Sequence, residues 1–145
     1  MKRHPSLIPL SRFHRSVLFL ALVCKKNAPP VKGYPEDDDG KRDYALTFYK
    51  KKLKLHMDLE ETRLFPEVVG INAQLKTLVQ ELLAEHKAID QLFAELPTTG
   101  NLPDTLDRLG ILLESHVRKE ERQFFQLIQQ SLEETELVEL EELLH

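Results

Sequence analysis

Cysteine, tryptophan and glycine are scarce in this chain, and each scarcity closes off a class of structure. Cys24 is the only cysteine among 145 residues, so no intrachain disulfide can form, and a cysteine-ligated zinc or iron–sulfur site is excluded for one chain. A cytoplasmic location is the matching expectation. Five glycines and no tryptophan favour an all-helical chain over a turn-rich β architecture. Positive charge is not in excess either: a formal net charge of −4 and a pI near 5.9 give no electrostatic footprint for nucleic acid or an anionic membrane. Long apolar runs are also missing. The best candidate, Val17 to Cys24, is far short of the roughly 20 residues a membrane span needs. With Lys2 and Arg3 ahead of it, this run superficially resembles a signal peptide. Pro5, Pro9, Arg12, His14 and Arg15 interrupt that pattern, and Val23 is not the small residue a processing site wants. A buried first helix accounts for the same residues.

What the chain does contain is helical periodicity between proline-marked breaks. Its length suits one domain with a real core, and its prolines punctuate the periodic segments without interrupting them. The expectation is an all-α, up-down-up-down four-helix bundle over residues 11–130, preceded by an extended arm (1–10) and followed by a short C-terminal fifth helix (131–145). Ser11 is read as the cap of the first helix, which frays near Lys25-Lys26-Asn27 ahead of Pro29 and Pro30. The acidic segment from Val31 to Gly40 reads as a solvated loop; it lacks the ligand spacing of a Ca²⁺-binding loop. The second helix should run from Arg42 or Asp43 to Phe65, closed by Pro66 and Gly70. The third runs from an Asn72 cap to Leu96, and the fourth from Pro103-Asp104 to Gln130. Ser131-Leu132-Glu133-Glu134 has the pattern of a capping box, which would start the fifth helix at Glu133 and carry it to Leu144. That helix would cover an end of the bundle or meet a second copy of the chain in a homodimer.

One stretch stands out chemically. His56-Met57-Asp58-Leu59-Glu60-Glu61 puts an imidazole and a carboxylate four residues apart, on one face of a helix. Sixty residues later His116-Val117-Arg118-Lys119-Glu120-Glu121 repeats the pattern in the same register. Each motif has a lone histidine upstream, His14 before His56 and His86 before His116. The chain therefore reads as a degenerate duplication that would bring four imidazoles and two carboxylates into the bundle. In an antiparallel hairpin, groups that meet must lie equally far from the shared turn, and the expected boundaries bring each pair level to within about 3 Å at 1.5 Å per residue. Any single histidine is more often a core or surface residue than a ligand; six ligand-type residues in matched register are not so easily coincidental.

Imidazole nitrogen with carboxylate oxygen suits Fe, Mn, Co, Ni or Zn, and two carboxylates on facing helices can each bridge two cations. The expected site is therefore His14, His56, Glu60, His86, His116 and Glu120, holding two metal ions. Glu61 and Glu121 point about 100° around the helix from their neighbours and are read as surface carboxylates or supports to the ligands. Phe65, Phe93, Phe124 and Phe125 are read as core.

Across residues 11–130 these motifs, with the Leu10-Ser11-Arg12 lead-in to His14, resemble the hemerythrin family in its bacterial HHE cation-binding form. The resemblance implies a four-helix bundle with a non-haem di-iron centre bridged by carboxylates and an oxo or hydroxo group; Mn or Zn would fit the same donors. Two positions depart from the family pattern. Asp90 stands where a second histidine of the third helix is expected, and Glu120 lies four residues after His116 where an aspartate at five is expected. One imidazole fewer counts against simple reversible O₂ carriage, and Asp90 is read as an exposed residue rather than a weak ligand. Three functions are compatible with this reading. The first is a metal-binding protein that binds or senses O₂, NO or iron. The second is a di-iron oxidoreductase acting on peroxide or in iron-centre repair, and the third a metal-stabilised interaction module.

Overall fold

A computed structural model describes residues 2–145. It is 78% helix, with no strand among the described residues, and consists of four long helices and a short fifth. Helix α1 is Ile8–Cys24. Helix α2 is a continuous rod over 38–68, assembled from α-helical Asp38–Phe48, a π turn at Tyr49–Leu53, α-helical Lys54–Leu59, a second π turn at Glu60–Leu64 and a last α turn at Phe65–Val68. Helix α3 is Ala73–Glu95. Helix α4 covers 102–131, as Leu102–Lys119, a π turn at Glu120–Phe124, and Phe125–Ser131. Helix α5 is Glu134–Leu144. No helix among the described residues is long and apolar enough to cross a membrane.

Several boundaries differ from the sequence reading, each for a local reason. Helix α1 starts at Ile8 rather than behind Ser11, with Pro9 in its first turn, where a missing N–H costs nothing. Ser11 is thus inside the helix, and its hydroxyl donates instead to the Glu121 carboxylate at 2.9 Å. The arm is correspondingly short, and Leu7 and Leu10 are buried in the core. Part of the acidic run is helix, not loop. Asp37 caps α2 by accepting the Gly40 N–H at 3.0 Å, while Asp38 and Asp39 lie in the first turn, where carboxylates suit the positive end of the helix. Helix α2 also passes through Pro66. The fifth helix does have a capping box, but Glu133 and Glu136 form it rather than Ser131 and Glu134. Asn72 caps α3 as its sequence suggests, accepting the Leu75 N–H at 2.8 Å.

The core falls into two apolar clusters with a polar layer between them. One holds Val17, Leu20, Leu53, Met57, Ile89, Phe93, Leu113 and Val117. The other holds Leu10, Leu64, Phe65, Leu82, Phe124, Phe125 and, from α5, Leu137 and Leu140. On each of the four long helices the histidines and glutamates of the motifs fall between members of the two clusters. Gly110 lets α1 and α4 approach closely, since a Cβ there would lie 2.7 Å from the Ala21 carbonyl oxygen.

The π turns bear directly on the polar layer. In each motif the first glutamate opens a π turn, with the Phe65 N–H bonded to the Glu60 carbonyl and the Phe125 N–H to the Glu120 carbonyl. A bond to the fifth residue brings Phe65 back over Glu60 and Phe125 over Glu120, where an α turn would bring the fourth. Proline does not explain these turns: Pro66 follows the first, but Gln126 occupies the same place after the second.

Candidate metal centre

All six residues singled out by spacing converge in the polar layer. His14, His86, His116, Glu60 and Glu120 are buried, the two glutamates with no exposed surface at all, and the His56 side chain retains 8%. Each histidine turns Nε2 toward the two carboxylates. Glu60 faces one histidine from each half, with Oε2 3.6 Å from His56 and Oε1 3.2 Å from His86. Glu120 does the same: its Oε1 is 2.7 Å from His116 Nε2 and 3.9 Å from His14 Nε2. Candidate donor atoms of Glu60, His86, His116 and Glu120 all lie within 4.8 Å of one another, as do those of His14, His56 and Glu60. Glu60 belongs to both groups.

Behind the inward nitrogens lies a ring of carboxylates that the sequence revealed only in part. His14 Nδ1 is 2.7 Å from Glu121, which is itself held by Ser11 and by Arg3 at 3.2 Å. His86 Nδ1 is 3.0 Å from Glu61. The glutamate that follows each candidate ligand glutamate therefore supports a histidine of the opposite half. Sequence reasoning left these two between a surface and a supporting role, and packing decides for support. It missed Glu85, which lies 2.8 Å from His116 Nδ1 and is bound by Lys119 at 2.5 Å. The one available signal was the acid–histidine step Glu85-His86, and it points to the wrong histidine. A carboxylate on the outer nitrogen fixes the ring and its tautomer, leaving Nε2 free to bind a cation.

Rings close the site. His14 stacks on Phe125 with centroids 5.6 Å apart, and His86 on Phe65 at the same 5.6 Å. Phe65, Phe93, Phe124 and Phe125 are all core residues, as read. Asp90 is turned away from the centre: it accepts the Tyr49 hydroxyl at 2.5 Å and lies 3.3 Å from the Lys54 ammonium. It belongs to neither donor group, and these bonds make it a half-buried anchor between α2 and α3 rather than a free surface residue.

The electrostatics follow from burying this much polar chemistry together. Burial, and then the charge of Glu120, hold the Glu60 carboxyl well above the usual carboxylate range. Burial pushes Glu120 the same way, but the adjoining Glu60 carboxyl, His116 and His14 outweigh it and take Glu120 well below that range. His56 is pushed down to about 3, chiefly by burial, with His14, His86 and His116 adding to the shift. His116 goes the other way, up to about 9, because Glu120 and Glu85 overcome its burial.

The donor set fits a cation on one further observation. Seven buried side-chain atoms have no hydrogen-bond partner among the described residues, and all seven belong to this cluster: Nε2 of His14, His56 and His86 and both oxygens of Glu60 and Glu120. Buried imidazoles and carboxylates converging from four helices define a cation-binding helical bundle. The chain belongs to the hemerythrin family: the Hemerythrin HHE cation binding domain matches residues 14–129, a stretch that opens on His14 and runs past Glu120. Comparisons with curated proteins and with solved structures gave no match.

Proposed function

We propose that this chain is a metal-binding protein with a non-haem di-iron centre, and that the centre binds or senses O₂, NO or iron itself. The observation that carries this reading is the set of seven buried atoms that make no hydrogen bond, their imidazole–carboxylate contacts at 2.7–3.9 Å lacking hydrogen-bond geometry. Each polar group left so costs about 1–3 kcal/mol, and cations on the same atoms would remove that cost. Two ions fit better than one, because each glutamate faces one histidine from each half. His14 and His56 would hold one ion, His86 and His116 the other, with Glu60 and Glu120 shared between them. Bound there, iron supplies redox chemistry and coordination positions that six side chains do not fill, at which a diatomic ligand, peroxide or azide can attach. The chain's own part is to hold the imidazoles in one tautomer through Glu61, Glu85 and Glu121, and to keep bulk water out with Phe65, Phe124 and Phe125. Manganese or zinc would satisfy the same donors, and the cytoplasm is the compartment this reading assumes.

Anaerobic loading with Fe²⁺ followed by metal analysis tests the proposal. Two ions per chain are expected, and azide added to the oxidised protein should produce new near-ultraviolet and visible absorption. One ion per chain with all six side chains intact would remove the two-metal reading. A spectrum indifferent to both azide and peroxide would leave the metal a structural role, whereas sustained consumption of peroxide would favour the oxidoreductase.

A further inference from the structure

The two halves of the centre repeat one another except at one pair of positions. In each half the second glutamate of the motif supports the lone histidine of the other half, Glu121 on His14 and Glu61 on His86. The phenylalanine that closes each π turn stacks on that same histidine. The repeat breaks at the residue preceding the lone histidine. Before His86 it is Glu85, which ties down His116 Nδ1 and is in turn held by Lys119. Before His14 it is Phe13, whose ring stacks on His56 with centroids 4.4 Å apart. The residue in register with Lys119 is Leu59. A carboxylate–ammonium pair on one side is thus replaced by an apolar pair on the other. Nδ1 of His14, His86 and His116 each meets a carboxylate, whereas Nδ1 of His56 has no such partner among the described residues. Its ring also lines a cavity of about 450 Å³ shared with Ser6, Leu10, Phe13, Lys52 and Leu59.

We propose that the two metal positions are unequal by construction: the ion at His14 and His56 exchanges with solution past Phe13 and Leu59, while the ion at His86 and His116 is retained. The proposal rests on the two-ion reading above. An ion leaves a protein site by losing its ligands one at a time, and a ligand whose outer nitrogen is tied must break that bond before it can turn away. The His56 ring has no such bond to break, and it has adjoining space to turn into. Loss of a supporting hydrogen bond of this kind typically lowers metal affinity by about 10–100-fold, so a difference of that order is expected between the two ions.

Zinc keeps oxidation out of the test. The full chain, loaded with zinc and freed of excess, is challenged with an excess of a chromogenic chelator while release is followed in time. The expected result is two phases of equal amplitude, separated by at least about 10-fold in rate. Glu85→Gln, which removes the negative charge behind His116 Nδ1 and the ion pair with Lys119, should speed the slow phase and leave the fast one in place. Phe13→Glu combined with Leu59→Lys, which installs the second half's pair in the first, should slow the fast phase toward the other; circular dichroism checks that this variant folds, and Glu85→Gln alone decides the matter if it does not. Release of two ions in a single phase would overturn the proposal, as would a Glu85→Gln variant that speeds only the fast phase. A chain that takes up fewer than two zinc ions overturns the two-ion reading instead.

Discussion

The hairpin of α1 and α2 and the hairpin of α3 and α4 carry the same inward-facing residues, yet they are finished differently on the outside. The histidines of the second half are surrounded by charge, from Glu61 on α2 and from Glu85 and Lys119 of their own half. The first uses a carboxylate only on His14 and leaves His56 against a phenyl ring. The difference teaches that donor atoms and their supports are specified separately. Donors follow a repeat along one helix, whereas supports come from whichever neighbour the packing brings up.

The largest effect expected is at the residues common to both halves. Glu60→Ala and Glu120→Ala should each reduce binding of both ions, because each carboxylate faces a histidine of each half. Atomic absorption after reconstitution checks this, and loss of a single ion in either variant would show that the glutamates are not shared.

Next come the crossed supports. Glu121→Gln should weaken the ion at His14, on the far half from its own motif, and Glu61→Gln the ion at His86. Each should cost about 10–100-fold in affinity, read by competition against a chelator of known strength. If each substitution instead disturbed the histidine of its own motif, the crossed arrangement would be wrong.

Gly110→Ala separates fold from site. On an isolated helix alanine would gain about 0.5–1 kcal/mol over glycine. Here its Cβ meets the Ala21 carbonyl oxygen at 2.7 Å and Lys25 Cγ at 3.0 Å, so α1 must move off α4, and overpacking of this kind costs about 1–3 kcal/mol. Urea unfolding of the metal-free chain should show a net loss of stability, and a gain would mean that the helices part easily.

The smallest effects are expected away from the polar layer. Asp90→Asn should leave the metal content unchanged, since its carboxylate is engaged by Tyr49 and Lys54; loss of an ion would make Asp90 a ligand after all. Cys24 should not react with thiol reagents at pH 8 until the chain unfolds, because burial pushes its thiol up to about 12. Rapid labelling of native protein would show that end of α1 to be open.

Much of this could be read before folding because the relevant information is periodic. A histidine four residues before a glutamate shares its helical face wherever the helix packs, so His56 with Glu60 and His116 with Glu120 were legible as pairs. The boundaries were less so. Ser11 and the acids at Asp37 to Asp39 have side chains that serve equally as caps, loop residues or hydrogen-bond partners, and nothing local decides among these uses. In the structure Asp37 caps α2, while Ser11 is drawn to Glu121 from inside α1.

By itself the sequence determined the helices, the polar layer and the six side chains that meet in it, since a 3.6-residue period and the cost of burying ionisable groups act along one chain segment at a time. Only the tertiary structure decided which carboxylate supports which histidine. Glu121 and His14 stand at opposite ends of the chain, and Glu85 reaches the histidine of another helix rather than its own neighbour His86. It likewise decided that His56 has no carboxylate behind it. Phe13 and Glu85 occupy the same place in the repeat, but what each does to a histidine depends on a ring in another helix, 4.4 Å away for Phe13 and 2.8 Å for Glu85, and tens of residues away in sequence.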